Sequence, residues 1–305
     1  MRTLADRYQI TSAIGRGGMG EVWSGKDLRL NRKVAIKLVA SEFATDIETR
    51  RRFNREARIT ARLSHPGVPA VYDFGADGEL FLVMELVSGD TIGMLVDERG
   101  GLPVNWATCI TAQVCAVLAA AHDVDLIHRD VKPGNLVLSP NGLVKLIDFG
   151  AATSLRAGDY SVITAWGDIP ASLGYMAPEL LEGGSAGRAS DLYSVGCLLY
   201  ELLTGTRAFE TGVDRTVSPP CGRDMPAELK ELTFQLLDPD PARRLSDART
   251  VHSLMRPWIG DRQPIPGWIG RDISGDPAQM YVDAASQRSD ARATTSRSGR
   301  VIPPG

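Results

Sequence analysis

Cysteine is scarce in this chain. The four in 305 residues, Cys109, Cys115, Cys197 and Cys221, form no CxxC pair, and two fall inside strongly apolar, helix-like stretches. Neither a zinc cluster nor a disulfide framework is indicated, and the residues read as buried, reduced thiols. An excess of either charge is missing too. The 34 Lys and Arg against 37 Asp and Glu give a net charge of −3 and a pI near 5.9, which leaves no basic footprint for nucleic acid. The opening residues MRTLADRYQI lack the basic-then-apolar layout of a signal peptide, and no uninterrupted apolar run reaches membrane-spanning length. No membrane span is expected, and the chain is expected to stay in the cytoplasm. Internal repeats are lacking as well. What remains is an ordinary globular composition, long enough for one large core or for two lobes that share a cleft.

From Tyr8 to about Val87 the sequence reads as short strands with one helix. Lys33 to Val39 is strand-like, and period two puts Ala35, Lys37 and Val39 on one face. Thr45 to Leu63 reads as a helix in which Phe53, Glu56, Thr60 and Leu63 lie three or four apart, so one carboxylate falls on the packing face and needs a partner. After Val87 the pattern turns mainly helical. Trp106, Ile110, Val114, Val117 and Ala121 mark one buried stripe, and Leu192, Val195, Leu199 and Leu202 mark a second. Between them, Leu136 to Leu138 and Val144 to Ile147 flank Ser139-Pro140-Asn141-Gly142, which predicts a hairpin whose two ends carry the richest polar motifs in the chain. Beyond Trp258 the sequence thins into Pro, Gly, Ser, Asp and Arg, the composition of a flexible tail.

Gly15-Arg16-Gly17-Gly18-Met19-Gly20-Glu21-Val22 sits between two strand-like stretches, where glycines let backbone amides approach a polyphosphate closely. Alone the motif is weak, since the same spacing opens dinucleotide folds and bland hairpins. Here no helix or ribose-binding acid follows; Val34-Ala35-Ile36-Lys37 does. Lys37 shares a strand face with Ala35, which suits a small residue against adenine and an ammonium aimed at the α- and β-phosphates, and Glu56 is a candidate to hold that lysine by an ion pair. His128-Arg129-Asp130-Val131-Lys132-Pro133-Gly134-Asn135 follows a buried helix, so its charges converge at the edge of a core. Asp130 is the candidate to orient an acceptor hydroxyl and take its proton, with Lys132 steadying the phosphoryl group in flight. Asn135 offers a neutral oxygen to Mg²⁺, and thirteen residues on, Asp148-Phe149-Gly150 adds a hard carboxylate.

With these residues in this order, and with Ala177-Pro178-Glu179 beyond them, the chain resembles the protein kinase family from about Tyr8 to Trp258. The wording GRGGMGEVW, HRDVKPGN and GYMAPE is most similar to the bacterial, eukaryotic-like (Hanks-type) serine/threonine kinases. The resemblance implies an α+β, bilobal fold. After a leader at 1–7, residues 8–87 would form a small antiparallel-sheet N-lobe with one key helix, and 88–260 a larger, mainly helical C-lobe. Residues 261–305 would be the tail. It also implies transfer of the γ-phosphate of ATP to protein Ser or Thr hydroxyls, with Mg²⁺ as the metal and Mn²⁺ as the alternative. Ile14, Val22, Ala35 and Val137 would then sandwich the adenine, Met84 would be the gatekeeper, and Glu85 to Val87 the hinge. Gly15, Gly17 and Gly20 would cover the phosphates. Asp191 looks like the helix residue that anchors the catalytic loop, while Glu179 and Arg244 look like a structural ion pair.

Lys132, two residues past Asp130, is the serine/threonine pattern, and Ser172 matches the hydroxyl position that contacts the catalytic Asp and Lys; Ala171-Ser172 departs from the commoner Gly-Thr. The stretch from Ala151 to Met176 is rich in hydroxyls, including Thr153, Ser154, Ser161 and Thr164. A phosphate there would find the Arg129 guanidinium, so autophosphorylation at Thr164 or Ser161, through a transient homodimer, is the expectation. Many family members continue into a membrane helix and an external sensor; this sequence shows neither, so its input is expected from inside the cell or through a partner. The basic end of the tail, with Arg288, Arg292, Arg297 and Arg300, reads mainly as solvated chain. Two rivals belong to other classes. A pseudokinase scaffold would be favoured by loss of Lys37, Asp130, Asn135 or Asp148, yet all are present. A small-molecule phosphotransferase of related fold fits poorly with Ala177-Pro178-Glu179 and the long substrate loop.

Overall fold

A computed structural model describes residues 2–17, 20–39, 47–149, 171–209 and 225–259, together with Arg215 and Pro219. Six antiparallel strands build the N-lobe sheet: β1 (Thr3–Leu4), β2 (Tyr8–Gly17), β3 (Gly20–Asp27), β4 (Arg32–Val39), β5 (Val71–Asp77) and β6 (Glu79–Glu85), in the spatial order β1-β2-β3-β4-β6-β5. The alternation in β4 explains its place in the sheet. Val34, Ile36 and Leu38 enter a core with Leu4, Tyr8, Ile10, Phe81 and Val83, which leaves Ala35 and Lys37 for the other face. The sheet closes tightly over this core at Gly25, where a Cβ would come within 2.5 Å of Ile36 Cδ1 and 2.7 Å of the Gln9 carbonyl oxygen. The helix read from Thr45 to Leu63 spans Ile47–Arg62 (α1); Ala57 and Thr60 are buried on its inner face, and Phe53, Glu56 and Leu63 are half-buried.

The C-lobe follows. A second, three-stranded sheet joins β7 (Asp90–Thr91), β8 (Leu136–Leu138) and β9 (Val144–Leu146). The predicted hairpin is present, with Leu136 opposite Leu146, Val137 opposite Lys145 and Leu138 opposite Val144, and Gly142 takes a left-handed turn at φ 74°. The helices are α2 (Ile92–Arg99), α3 (Val104–His122), α4 (Pro178–Leu181), α5 (Arg188–Thr204), α6 (Ala227–Leu236) and α7 (Ala248–Ile259). The expected stripes of α3 and α5 are wider than a single face. Sixteen of the nineteen residues of α3 are buried, so it runs through the middle of the lobe with neighbours all round it. This accounts for a composition that, by length and mean hydropathy of 1.5, would let α3 cross a membrane, although 83% of that apolar window lies inside the protein. Cys109, Cys115 and Cys197 are buried thiols outside any disulfide, and burial pushes the Cys197 thiol up to about 12. Cys221, like the tail at 261–305, lies outside the described residues.

Candidate functional site

The groups singled out in the sequence meet where the β4 face turns toward the loops at either end of the β8–β9 hairpin. Lys37 projects from β4, its Nζ donating to Asp148 Oδ1 at 2.8 Å across 111 residues of sequence. Burial pushes the Asp148 carboxyl up, but the charge and hydrogen bond of Lys37 outweigh it, and the group is held below its ordinary value. Glu56, the partner expected for Lys37, is half-buried on α1, while the lysine's ammonium rests on Asp148.

The loop from His128 to Asn135 is tied from both sides. Asp191, fully buried near the start of α5, accepts the backbone N–H of His128 at 2.9 Å and of Arg129 at 2.7 Å, and Nε2 of His122 at 2.8 Å. Three donors therefore hold one carboxylate that has no access to water, which is how a buried charge is tolerated. His128 turns inward: Nε2–H donates to the Ile147 carbonyl at 3.1 Å, Nδ1 accepts the Asp130 N–H at 3.3 Å, and the ring meets Phe149 edge-on at 4.6 Å. That pattern uses one donor and one acceptor, the neutral imidazole, and burial accordingly lowers the His128 pKa. Arg129 and Asp148 both adopt left-handed backbone angles, φ 69° and 66°, so the two polar motifs depart from regular structure at their reactive ends.

At the mouth of this loop, Lys132 Nζ contacts both Asp130 oxygens, at 2.9 and 2.7 Å. Asn135 Nδ2 donates to the backbone carbonyl and to Oδ2 of Asp130, each at 2.8 Å. With both amide hydrogens engaged, the Asn135 oxygen is the atom left to meet a ligand. Lys37 with Asp148, and Asp130 with Lys132 and Asn135, thus form two contact groups on adjoining loops, which the Ile147 N–H ties together by donating to the Asn135 carbonyl at 2.9 Å. Among the described residues no cluster of three His, Cys, Asp or Glu side chains could enclose a metal by itself.

The apolar positions fall beside this cluster through strand register. Gly15 faces Val22, Val22 faces Lys37, and Ala35 faces Met84, so the glycine hairpin, the strand of Lys37 and the strand of Met84 are consecutive in the sheet. Ile14 is more than half exposed and Val137 is buried beneath, on β8. Glu85 closes β6; its N–H donates to the Ala70 carbonyl at 2.8 Å and its carboxylate meets Lys145 Nζ at 2.9 Å, while Val87 lies in the connection that follows. Gly17 and Gly20 flank the tip of the hairpin, whose residues 18 and 19 lie outside the described set, as do Ser161 and Thr164. Far from the cluster, Arg244 grips Glu179 with two bonds of 2.8 Å and also donates to the carbonyls of Asp238, Ala189 and Pro239, the structural pair expected.

Residues 8–259 match the family model for the protein kinase domain. The chain belongs to the protein kinase family. Over 99% of its length it is 37% identical to the serine/threonine-protein kinase PknA of Mycobacterium tuberculosis, of which it spans 75%. Over 95% of its length it is 38% identical to the serine/threonine-protein kinase PknL of the same organism, spanning 66% of that protein. Among solved structures, the M. tuberculosis PknI kinase domain covers 85% of this chain and 98% of its own length, with 29% identity and a TM-score of 0.69.

Three contacts of this kinase were not foreseen in the sequence. His122 is the third donor to Asp191. Gln113, inside α3, donates to the Gly142 carbonyl at 3.3 Å and accepts the Val144 N–H at 2.8 Å, fixing the hairpin that carries both ends of the cluster. Tyr175 donates to the buried Glu201 carboxylate on α5, whose pKa burial raises. A polar residue inside an otherwise apolar helix was the available signal for all three.

Proposed function

We propose that this kinase transfers the γ-phosphoryl group of ATP to serine or threonine hydroxyls of proteins. The observation that carries the proposal is the pairing of Lys37 with Asp148 next to the loop in which Asp130 meets Lys132 and Asn135, three separated stretches of sequence brought together with the Ile147 N–H donating to the Asn135 carbonyl. Asp130 is the group to receive the acceptor's proton as the new O–P bond forms and the bond to the β-phosphate oxygen breaks. Lys132, already paired with Asp130, offsets charge on the moving phosphoryl oxygens, and Lys37 orients the α- and β-phosphates. Asn135 and Asp148 supply hard oxygen ligands, too few to hold a metal without water and phosphate; that suits Mg²⁺, with Mn²⁺ as the alternative. The metal, when bound, would neutralise phosphate charge. Ile14, Val22, Ala35 and Val137 enclose the adenine, the glycine hairpin covers the phosphates, and Met84 closes the rear of the pocket. Because the Glu85 N–H is spent on Ala70, its carbonyl and the backbone of Val87 are the groups for the purine edge. Glu56 would steady Lys37 once Asp148 is engaged as a metal ligand.

The relatives' serine/threonine designation and Lys132 two residues past Asp130 support the acceptor class. Radiolabelled ATP with a generic protein substrate tests the reading. Incorporation into serine or threonine that disappears in Asp130→Asn is expected, and equal labelling by that variant would overturn it. Autophosphorylation at Thr164 or Ser161 belongs to the same proposal. Phosphopeptide mapping after incubation with Mg·ATP should find one of them modified, and an active enzyme with neither modified would refute that part.

A further inference from the structure

Helix α1 carries six arginines and two glutamates, so it bears about +4 within a chain whose net charge is −3, and the remainder is correspondingly acidic. Arg51, Arg55, Arg58 and Arg62 are all exposed. Their spacing of four, three and four residues lines them up on one face, within an arc of about 60° at about 100° per residue. Ile47, 67% exposed, begins the same line. Phe53, Glu56 and Thr60, on the packing face, lie about 180° away around the helix axis. Among the described residues none forms an ion pair with these four arginines.

Four guanidinium groups in a row, none of them paired with a described residue, repel one another, and an exposed isoleucine at the end of the row gains nothing from water. A surface of this kind is stabilised by a counter-surface of the opposite charge. We propose that the outward face of α1 docks an acidic, helical segment of a partner protein. Along the axis the four arginines span about 16 Å at 1.5 Å per residue. A second helix with carboxylates at the same intervals of four, three and four residues presents them at matching heights, and an apolar residue at its end covers Ile47. Extended polyanions fit less well. A nucleic acid or an anionic bilayer has to approach a chain whose net charge is −3, whereas a short segment meets only the arginines.

The full chain is titrated into two fluorescein-labelled, lactam-stapled helical peptides of equal length and charge. One carries Glu at four positions spaced four, three and four residues apart; the other has the same four Glu distributed around the helix. Fluorescence anisotropy is expected to show at least fivefold tighter binding of the aligned peptide. Arg55→Gln with Arg58→Gln should weaken that binding at least tenfold, and raising salt from 0.05 to 0.5 M should weaken it similarly. Arg243→Gln, an exposed arginine elsewhere, should leave it unchanged. Equal affinity for the two peptides, no loss in the double variant, or binding to phosphatidylserine vesicles or a DNA duplex in preference to the aligned peptide would overturn the proposal. Phosphate transfer to a generic substrate is measured on the same double variant; since neither arginine lies in the nucleotide cleft, its retention separates a failed docking surface from a failed kinase.

Discussion

Lys37 and Asp148 meet at 2.8 Å although 111 positions separate them, and each is mostly sheltered from solvent. Replacing Lys37 by Met removes the ammonium without disturbing the strand core, because Val34, Ile36 and Leu38 point the other way. Turnover is expected to fall about a hundredfold or more, the scale of losing one preorganised charge at a developing anion, while circular dichroism stays unchanged. A variant with ordinary turnover would remove Lys37 from the mechanism. These positions were legible in the sequence because chemistry restricts what can stand there: a lysine on a strand, an aspartate and an asparagine in one loop, and an aspartate before Phe149. The lysine's partner in this structure was not legible. Both Glu56 and Asp148 are acids within reach by pattern, and only the three-dimensional path of the chain decides which lies nearer. His122 was hidden for a similar reason, since a histidine at the end of an apolar helix shows no partner until α5 brings Asp191 beside it.

At the scale of single elements, the catalytic loop owes its shape to α5. Asp191 accepts two loop amides and one imidazole in a site closed to water. Asp191→Ala leaves three buried donors without an acceptor, each costing about 1–3 kcal/mol. The expected outcome is a lower thermal midpoint together with reduced kcat, the ATP KM changing less because β4 and the glycine hairpin are untouched; a variant with full kcat would refute the anchoring role. A second element-level device stands at the far side of the N-lobe. Asp27, at the end of β3, takes two hydrogen bonds from Arg7 and accepts the N–H groups of Arg29 and Leu30, and these hold its carboxyl down at about 2. A carboxyl with its folded value depressed binds its proton more readily in the unfolded chain. Its stabilisation is therefore complete above the ordinary value near 4 and is lost as pH falls through about 2. Acid titration of N-lobe unfolding should show that loss, and Asp27→Asn should flatten it. The strands and the hairpin around these sites followed from period two and a Pro-Asn-Gly turn. The burial of α3 on all sides did not, because a stripe read from large residues alone misses the alanines, threonines and cysteines that pack the opposite faces.

Across the whole molecule the N-lobe sheet keeps its own core around Ile36 and Phe81, while Val68, Ile59 and Leu63 of the same lobe pack with the C-lobe cluster around Ile110 and Leu198. The Lys37–Asp148 pair links the lobes across the cleft. The C-lobe also has its own clasp. Arg244 is wholly buried and Glu179 keeps 20% of its side-chain exposure, so Arg244→Met should cost about 3 kcal/mol, the low end for breaking a buried pair, and lower the C-lobe midpoint without altering nucleotide affinity. Nucleotide should act differently, because in the proposed site it would touch both lobes at once. A non-hydrolysable ATP analogue at a hundred times its dissociation constant is expected to stabilise the fold by about 2.7 kcal/mol. Part of that gain is expected to require magnesium, since Asn135 and Asp148 are the C-lobe residues that would hold the metal and offset phosphate charge through it. In Asp148→Asn the magnesium-dependent part of the shift in thermal midpoint should shrink while the part given by nucleotide alone persists through Ala35, Met84 and Val137. If Asp148→Asn gained as much from magnesium as the unaltered chain, Asp148 would not be the residue through which the metal ties the two lobes together.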